Sequence, residues 1–211
     1  SACPMDAVGV GEADGRSGKG ARLVSNDSKG MYMLTVVPKV TAASLFLGEF
    51  VVDMGNTLKS THFGVPYYNQ PQTVKGYYKY KAGPVYTENN QPQSGVKDRF
   101  DIYAIMYEAD DNSFMLDGTN AKTSNKLVYL AQIKADAAVE TDQWTEFNLP
   151  FEPQNNKSID EQKLQNGKYK LGIIFSSSID GDRFKGAVGS TLYIDEVESV
   201  SYTHLRAHET T

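Results

Sequence analysis

The most concentrated polar chemistry of this 211-residue chain lies in the segment 176–182, SSSIDGD. Ser176, Ser177 and Ser178 supply three consecutive hydroxyls, and Asp182 supplies a carboxylate beside a glycine, which tolerates unusual backbone conformations. Hydroxyl and carboxylate groups on a permissive loop suit the recognition of sugar hydroxyls or of a hard cation. The alternative is an ordinary polar connection whose side chains hydrogen-bond their own backbone.

A second candidate is Asp195, which lies near the end of the last predicted strand beside Glu196. Neighbours in a strand point to opposite faces, so these two acids cannot enter one site. Asp195 shares its face with Tyr193 and Val197, and we expect it to be the more buried of the two acids. A buried carboxylate needs a cation or several donors, and calcium is the natural cation for an all-oxygen site. Calcium at Asp195 is therefore one expectation, and bonding to backbone N–H groups at a sheet end is the alternative.

Aromatic residues in polar or proline-containing segments form a third set of candidates. Flat rings stack on sugar faces, and a β-sandwich would hold such rings on a rigid platform. For one of them, a tryptophan that opens a strand, packing in the core is the alternative. The candidate rings are Tyr67, Tyr68, Tyr86 and Trp144.

Glycoside hydrolysis would instead require two carboxylates that flank the scissile bond at a fixed separation. The sequence offers several acids for such a pair but does not indicate which of them converge. The available acids are Asp101, Asp117, Glu146, Asp180, Asp182 and Asp195.

The composition excludes several classes of function. The formal net charge of −5 argues against a nucleic-acid partner. No apolar run approaches the roughly 18 residues that a membrane-spanning helix needs. The chain contains no P-loop, dinucleotide fingerprint, HExxH or CxxC motif. Apart from calcium, we therefore expect no cofactor.

The elements that must position these residues are predicted to be strands. In the segment 74–81, VKGYYKYK, alternation places Tyr78 and Tyr80 on one face and Tyr77, Lys79 and Lys81 on the other. The one helical signal covers 158–164, where a serine and a glutamate fit a capping box. Further strand candidates are 21–24, 31–37, 44–52, 101–108, 126–134, 141–151, 169–175 and 191–202.

Roughly eight to ten short strands separated by turn signals predict an all-β fold. We expect an antiparallel β-sandwich of jelly-roll type with at most one or two short helical turns, forming one domain over 21–202. Residues 1–20 are expected to be a loop-like lead-in or a truncated upstream linker. The string SYTHLRAHET resembles a translated sequencing adapter, so 203–211 is expected to be an extraneous tail whose two histidines form no metal site.

Several longer segments carry a family resemblance: LKSTHFGVPY (58–67), VKGYYKYKAG (74–83), DRFDIYAIMYE (98–108), LDGTN (116–120), WTEFNLPFE (144–152) and FSSSIDGDRFKGAVGSTLYIDEVE (175–198). Through them the chain resembles a bacterial family known as the putative carbohydrate metabolism domain. The resemblance implies a jelly-roll sandwich akin to carbohydrate-binding modules. It also implies a surface lipoprotein or a secreted or periplasmic protein, with an immunoglobulin-like domain upstream in the full-length protein.

These observations favour a noncatalytic module that binds an oligosaccharide or polysaccharide by aromatic stacking and by polar loop contacts. A glycoside hydrolase with a pair of carboxylates is one alternative. A structural or adhesion module without a small ligand is the other.

Overall fold

The computed structural model describes residues 9–27, 31–32, 35–36, 39–111 and 113–202. The predicted tail 203–211 lies outside the described residues, as does part of the strand predicted over 31–37. Among the helices of the described chain, none is long and apolar enough to cross a membrane.

Strands dominate the described chain, which also contains one short helix, α1 (Glu161–Gln165), and 3₁₀ turns at Thr57–Ser60 and Gly181–Arg183. In chain order the strands are β1 (Val10–Asp14), β2 (Lys19–Val24), β3 (Asn26–Asp27), β4 (Met31–Tyr32), β5 (Thr35–Val36), β6 (Val40–Thr41), β7 (Ser44–Phe46), β8 (Gly48–Phe50), β9 (Thr61–Phe63), β10 (Val65–Pro66), β11 (Pro71–Lys81), β12 (Tyr86–Glu88), β13 (Gln91–Pro92), β14 (Asp101–Glu108), β15 (Leu116–Asp117), β16 (Leu127–Gln132), β17 (Thr141–Pro150), β18 (Glu152–Pro153), β19 (Tyr169–Ser176), β20 (Gly186–Ala187) and β21 (Thr191–Ser201).

Two antiparallel sheets build the sandwich. Sheet A has the strand order β1-β2-β21-β11-β17, and sheet B has the order β10-β19-β14-β16-β18, with β7 also paired to β19. When β2, β7, β11, β14, β16, β17, β19 and β21 are numbered one to eight, the sheets read 1-8-3-6 and 2-7-4-5. This interleaved order is that of a jelly roll, so the predicted fold class is confirmed.

Alternation along the strands decides which side chains enter the core. Val74, Tyr78 and Tyr80 of β11 are buried between the sheets, as the pattern of 74–81 predicts. Strand β14 is buried on both faces because its inner side faces sheet A and its outer side is covered by a second apolar cluster. Phe63 and Leu116, from the short strands β9 and β15, belong to that cover. The outer face of sheet B is therefore covered, whereas the outer face of sheet A carries partly exposed side chains.

Two local predictions are wrong. The expected lead-in over 1–20 contains β1 and the start of β2, which form a hairpin joined to β21. The edge strand β1 has mostly small or polar residues and is held by backbone pairing, so its sequence shows no apolar alternation that would predict a strand. The helix begins later than expected because Asp160, rather than Ser158, is its N-cap and accepts a hydrogen bond from Lys163 N at 2.9 Å.

Candidate functional site

The serine-rich segment lies at the end of the sandwich where β19 stops. Ser177 and Ser178 are only 0% and 1% exposed. Both hydroxyls hydrogen-bond with Ser25 Oγ, at 2.8 and 2.7 Å. The prediction that these two serines contact a glycan is contradicted, because burial commits their hydroxyls to partners inside the fold.

Asp98 is the centre of this buried network. Its Oδ2 accepts hydrogen bonds from Ser178 Oγ and Ser190 Oγ, both at 2.6 Å, and from Ala187 N at 2.8 Å, while Oδ1 accepts one from Arg99 N at 2.8 Å. Burial raises the pKa of Asp98, and the four hydrogen bonds partly oppose that rise because they favour the ionised form. Sequence reasoning missed this residue because its hydroxyl partners lie 80 and 92 positions away.

The other candidates at this end do not form an aromatic platform. Tyr86 is only 8% exposed, and its hydroxyl donates to Asp180 Oδ2 at 3.4 Å. Burial and the neighbouring Asp180 carboxylate raise the pKa of Tyr86 to about 12. The prediction of Tyr86 as a stacking surface is therefore contradicted by its burial. Ser176, which donates to Ser178 O at 2.9 Å, is partly exposed, and Asp182 is exposed in a 3₁₀ turn.

Tyr67 and Tyr68 lie at the opposite end of the sandwich. The Tyr67 ring packs against the core, and its hydroxyl hydrogen-bonds with Ser201 Oγ at 2.6 Å, whereas Tyr68 is 58% exposed. Strand β11 runs from this end to the serine-rich end, pairing Pro71 with Ser201 and Lys81 with Thr191. Ten steps along a strand amount to roughly 33 Å. The structure therefore does not bring these two tyrosines together with the serine-rich segment.

Trp144 lies on the outer face of sheet A beside two residues that the sequence did not single out as a site. Lys79 pairs with Tyr193 across β11 and β21, and its Nζ lies 4.6 Å from the centre of the Trp144 ring and 5.0 Å from that of Tyr193. A cation over ring faces is attracted by the negative face of each ring. Arg22 of β2 pairs with Tyr193 on its other side. We call these four residues, which span four strands, the cation–ring row.

A β-bulge positions Trp144 in this row. The register between β11 and β17 shifts between Tyr78 and Tyr80, which leaves residues 142–144 opposite Lys79 alone. Thr141 closes the bulge, since its Oγ1 donates to Gln143 O at 3.0 Å and accepts from Gln143 N at 3.1 Å. Bulges change the direction of side chains and are common beside functional sites.

A groove of about 570 Å³ opens beside the row. Its charged lining includes Lys79, Lys81, Glu140 and Asp142. Glu140 accepts hydrogen bonds from Lys97 Nζ at 2.6 Å and from Ala82 N at 2.9 Å, and these bonds hold its pKa below the ordinary value. The groove thus combines one partly exposed ring, hydrogen-bonding groups and two lysines.

Asp195 lies on this same face, paired with Tyr77, and it is partly exposed rather than buried. Its Oδ2 accepts hydrogen bonds from Arg16 N at 2.7 Å and Ser17 N at 3.2 Å, and Oδ1 accepts one from Glu196 N at 2.8 Å. Desolvation raises the pKa of Asp195, but these three bonds together outweigh it and leave the pKa lowered. The structure shows the N–H-bonded alternative, and no group of three or more His, Cys, Asp or Glu side chains in the described chain could hold a metal ion.

Sequence reasoning missed Lys79 and Tyr193 as site residues, although a signal was present. The alternation of 74–81 already places Tyr77, Lys79 and Lys81 on one face of a strand whose other face is core. Cations and rings on the outward face of a central strand are such a signal. What the sequence does not show is that β17 and β21 flank this strand.

Comparisons with known proteins agree on one family. The family model described as putative carbohydrate metabolism domain matches residues 2–200. The chain is similar to the crystal structure of a putative glycoside hydrolase from Bacteroides thetaiotaomicron VPI-5482, with 44% identity, a TM-score of 0.84 and coverage of 94% of this chain. It spans 58% of that longer chain. A putative glycoside hydrolase from Bacteroides vulgatus ATCC 8482 is 38% identical, with a TM-score of 0.80 over 92% of this chain and 78% of the other. No curated protein matches the chain.

Proposed function

Given that this chain belongs to the putative carbohydrate metabolism domain family, we propose that it is a glycan-binding module whose ligand lies on the outer face of sheet A. The observation that carries the proposal is the cation–ring row, in which two partly exposed rings flank the Lys79 ammonium on adjacent strands. Tyr and Trp rings combine a large apolar face with a polar edge, which suits a sugar.

The sheet supplies the rigidity that such a platform needs. Lys79 lies in β11, which is hydrogen-bonded to a neighbour on each side, and its own inner neighbours Tyr78 and Tyr80 are buried in the core. Groups held by packed strands lose little conformational freedom when a ligand arrives.

Hydrolysis is the second candidate, because two similar proteins are described as putative glycoside hydrolases and because Tyr77 stands between Glu146 and Asp195. Two strand spacings separate these acids by roughly 10 Å at the backbone, near the separation used by inverting enzymes. A general acid, however, needs a raised pKa, and three N–H bonds help to hold the pKa of Asp195 low, so Glu146 would have to be the acid of this pair. Glu146 is exposed rather than set in the kind of apolar pocket that makes a carboxyl group a general acid. Binding is therefore better supported than hydrolysis through this pair.

Ring-deletion variants test the binding proposal. Affinity gels and calorimetry with a panel of polysaccharides should identify a ligand for the wild-type chain. Trp144→Ala and Tyr193→Ala should each weaken that binding by roughly five- to fifteenfold, as expected for an aromatic contact of about 1–1.5 kcal/mol. Tyr68→Ala is the matched control, since it removes an exposed ring at the other end of the sandwich.

Two outcomes would contradict the proposal. If Tyr68→Ala removed binding while Trp144→Ala left it intact, the site would lie at the opposite end. If the folded wild-type chain bound no glycan in the panel, the binding function itself would fail. Reducing-sugar release by the wild type but not by Glu146→Gln would favour hydrolysis instead.

A further inference from the structure

The charges of the cation–ring row point to the class of glycan, an inference that rests on the proposed function of this face. We propose that the ligand is an anionic glycan, whose carboxylate or sulfate groups contact Lys79 and Arg22 while its sugar faces meet Trp144 and Tyr193.

Lys79 is the first observation. Lys75, on the same face of β11, is paired with Glu198 at 3.2 Å. Lys79 forms no ion pair within the described chain, and its Nζ instead lies over two ring faces. Rings hold an ammonium in place without neutralising it. The positive charge is therefore held in position and remains available to an incoming anion.

Arg22 is the second observation. It is exposed, follows Tyr193 in the row, and forms no ion pair with any described residue. Two strand spacings place its backbone roughly 10 Å from that of Lys79. A planar guanidinium bonds carboxylate and sulfate-like groups with two N–H donors at once. A chain of repeating acidic sugars could thus meet a cation on each side of the Tyr193 ring.

Opposing carboxylates also lie on this face. Next to the row, Glu146 is exposed and has no ion pair among the described residues, whereas Asp195 accepts three N–H bonds. Two further acids line the groove. Glu140 is paired with Lys97 at 2.6 Å, and Lys81 also acts on it electrostatically. Asp142 is exposed and accepts only a bond from Gln143 Nε2 at 3.3 Å. This positive row lies on a protein whose formal net charge is −5, so it does not reflect a generally basic surface.

A matched pair of ligands tests the inference. Oligogalacturonate and its methyl ester share one sugar skeleton, but only the first carries carboxylates. We expect the wild-type chain to bind oligogalacturonate more tightly than the ester, with an affinity that falls as salt rises. Dextran sulfate against dextran provides the second arm and distinguishes sulfate from carboxylate as the source of the anion.

Three variants assign the effect to the row. Lys79→Met keeps the apolar stem, and it should weaken binding of the anionic ligand roughly ten- to hundredfold, as expected for loss of a charged hydrogen bond. The same variant should weaken binding of the neutral ligand much less, because that ligand carries no charge for Lys79 to meet. Lys79→Arg should retain most of the affinity for the anion. Asp142→Asn removes the opposing carboxylate at an exposed position and should strengthen binding of the anion.

The failures of the two proposals are distinguishable. Equal binding of both members of each pair, sensitive to Trp144→Ala but not to Lys79→Met, would overturn the anionic class and keep the glycan site. If every polyanion bound in a salt-sensitive way and Trp144→Ala did not weaken that binding, the binding would be nonspecific adsorption and the inference would be overturned. Absence of binding to all four ligands would overturn it as well.

Discussion

Replacing Ser178 by alanine should destabilise the fold without weakening ligand binding. The Ser178 hydroxyl is 2.6 Å from Asp98 Oδ2 and 2.7 Å from Ser25 Oγ, and the residue is 1% exposed. The substitution removes one of four donors to Asp98, while Ser25 keeps its contact with Ser177 Oγ at 2.8 Å.

The size of the effect follows from these contacts. A buried hydrogen bond to a charged group contributes about 1.5–3 kcal/mol, and loss of a second hydroxyl contact places the expected change at about 2–3 kcal/mol. For a domain of this size the melting temperature should fall by roughly 4–12 °C. The deleted bond also favours the ionised form of Asp98, so its loss raises the pKa of Asp98 further. The destabilisation should accordingly be greatest at neutral pH and smallest below 3.8, the ordinary pKa of this carboxyl.

Urea unfolding at several pH values measures this change, with an unchanged denaturant slope as the sign of a native-state effect. Ser176→Ala is the matched control, because Ser176 is partly exposed and gives up only a bond to Ser178 O at 2.9 Å. Equal stabilities of Ser178→Ala and wild type, together with a loss of glycan affinity, would refute the structural role and restore the serine as a ligand contact.

Three further predictions concern stability. Burial raises the pKa of Asp98, so the stability that this residue contributes is fully present below its unfolded pKa and is lost as pH rises through the raised folded pKa. Asp98→Asn should flatten this decline of the unfolding free energy with pH. A pH profile equal to that of the wild type would contradict the prediction. Hydrogen bonds from Lys163 and Lys157 lower the pKa of Glu108, so its contribution to stability is present above pH 4.5 and is lost as pH falls through the folded pKa. Glu108→Gln should therefore destabilise the fold by about 1 kcal/mol at pH 7 and leave it unchanged in acid. Unfolding measured as a function of pH checks this difference. Gly186 has φ +152°, and an added Cβ would lie 2.6 Å from Ser178 Oγ. Gly186→Ala should therefore lower the unfolding free energy by about 1–3 kcal/mol in chemical unfolding. Gly189 also has a positive φ but has open space around it, so Gly189→Ala should cause a smaller loss of stability.

The sequence predicts the sandwich because its signals are local. Tyr78 and Tyr80 alternate with Tyr77 and Lys79, and that period alone identifies the core face of β11. The edge strand β1 has no such period, and only its pairing with β2 makes it a strand. Fold class therefore follows from patterns of a few residues, whereas edge pairing does not.

The site was harder to predict because it is built across strands. The serine-rich segment has the composition of a ligand loop, yet the Ser177 and Ser178 hydroxyls are buried. Ser178 donates to the Asp98 carboxylate, which lies 80 positions away in the chain. The sequence indicates Trp144 as a candidate ring, but its neighbours Lys79 and Tyr193 come from two other strands. Residue types indicate which chemistry is available, and only the register decides which side chains meet.

Trp144 is the only tryptophan of the chain, so its fluorescence reports on the proposed site without any label. The most direct measurement is a fluorescence titration with a glycan whose affinity is known from calorimetry on the same protein. We predict a saturable change in Trp144 emission that gives the same dissociation constant as calorimetry. In Tyr193→Ala, the same titration should give a weaker affinity. Calorimetric binding that leaves the emission of Trp144 unchanged would place the ligand elsewhere and contradict the account.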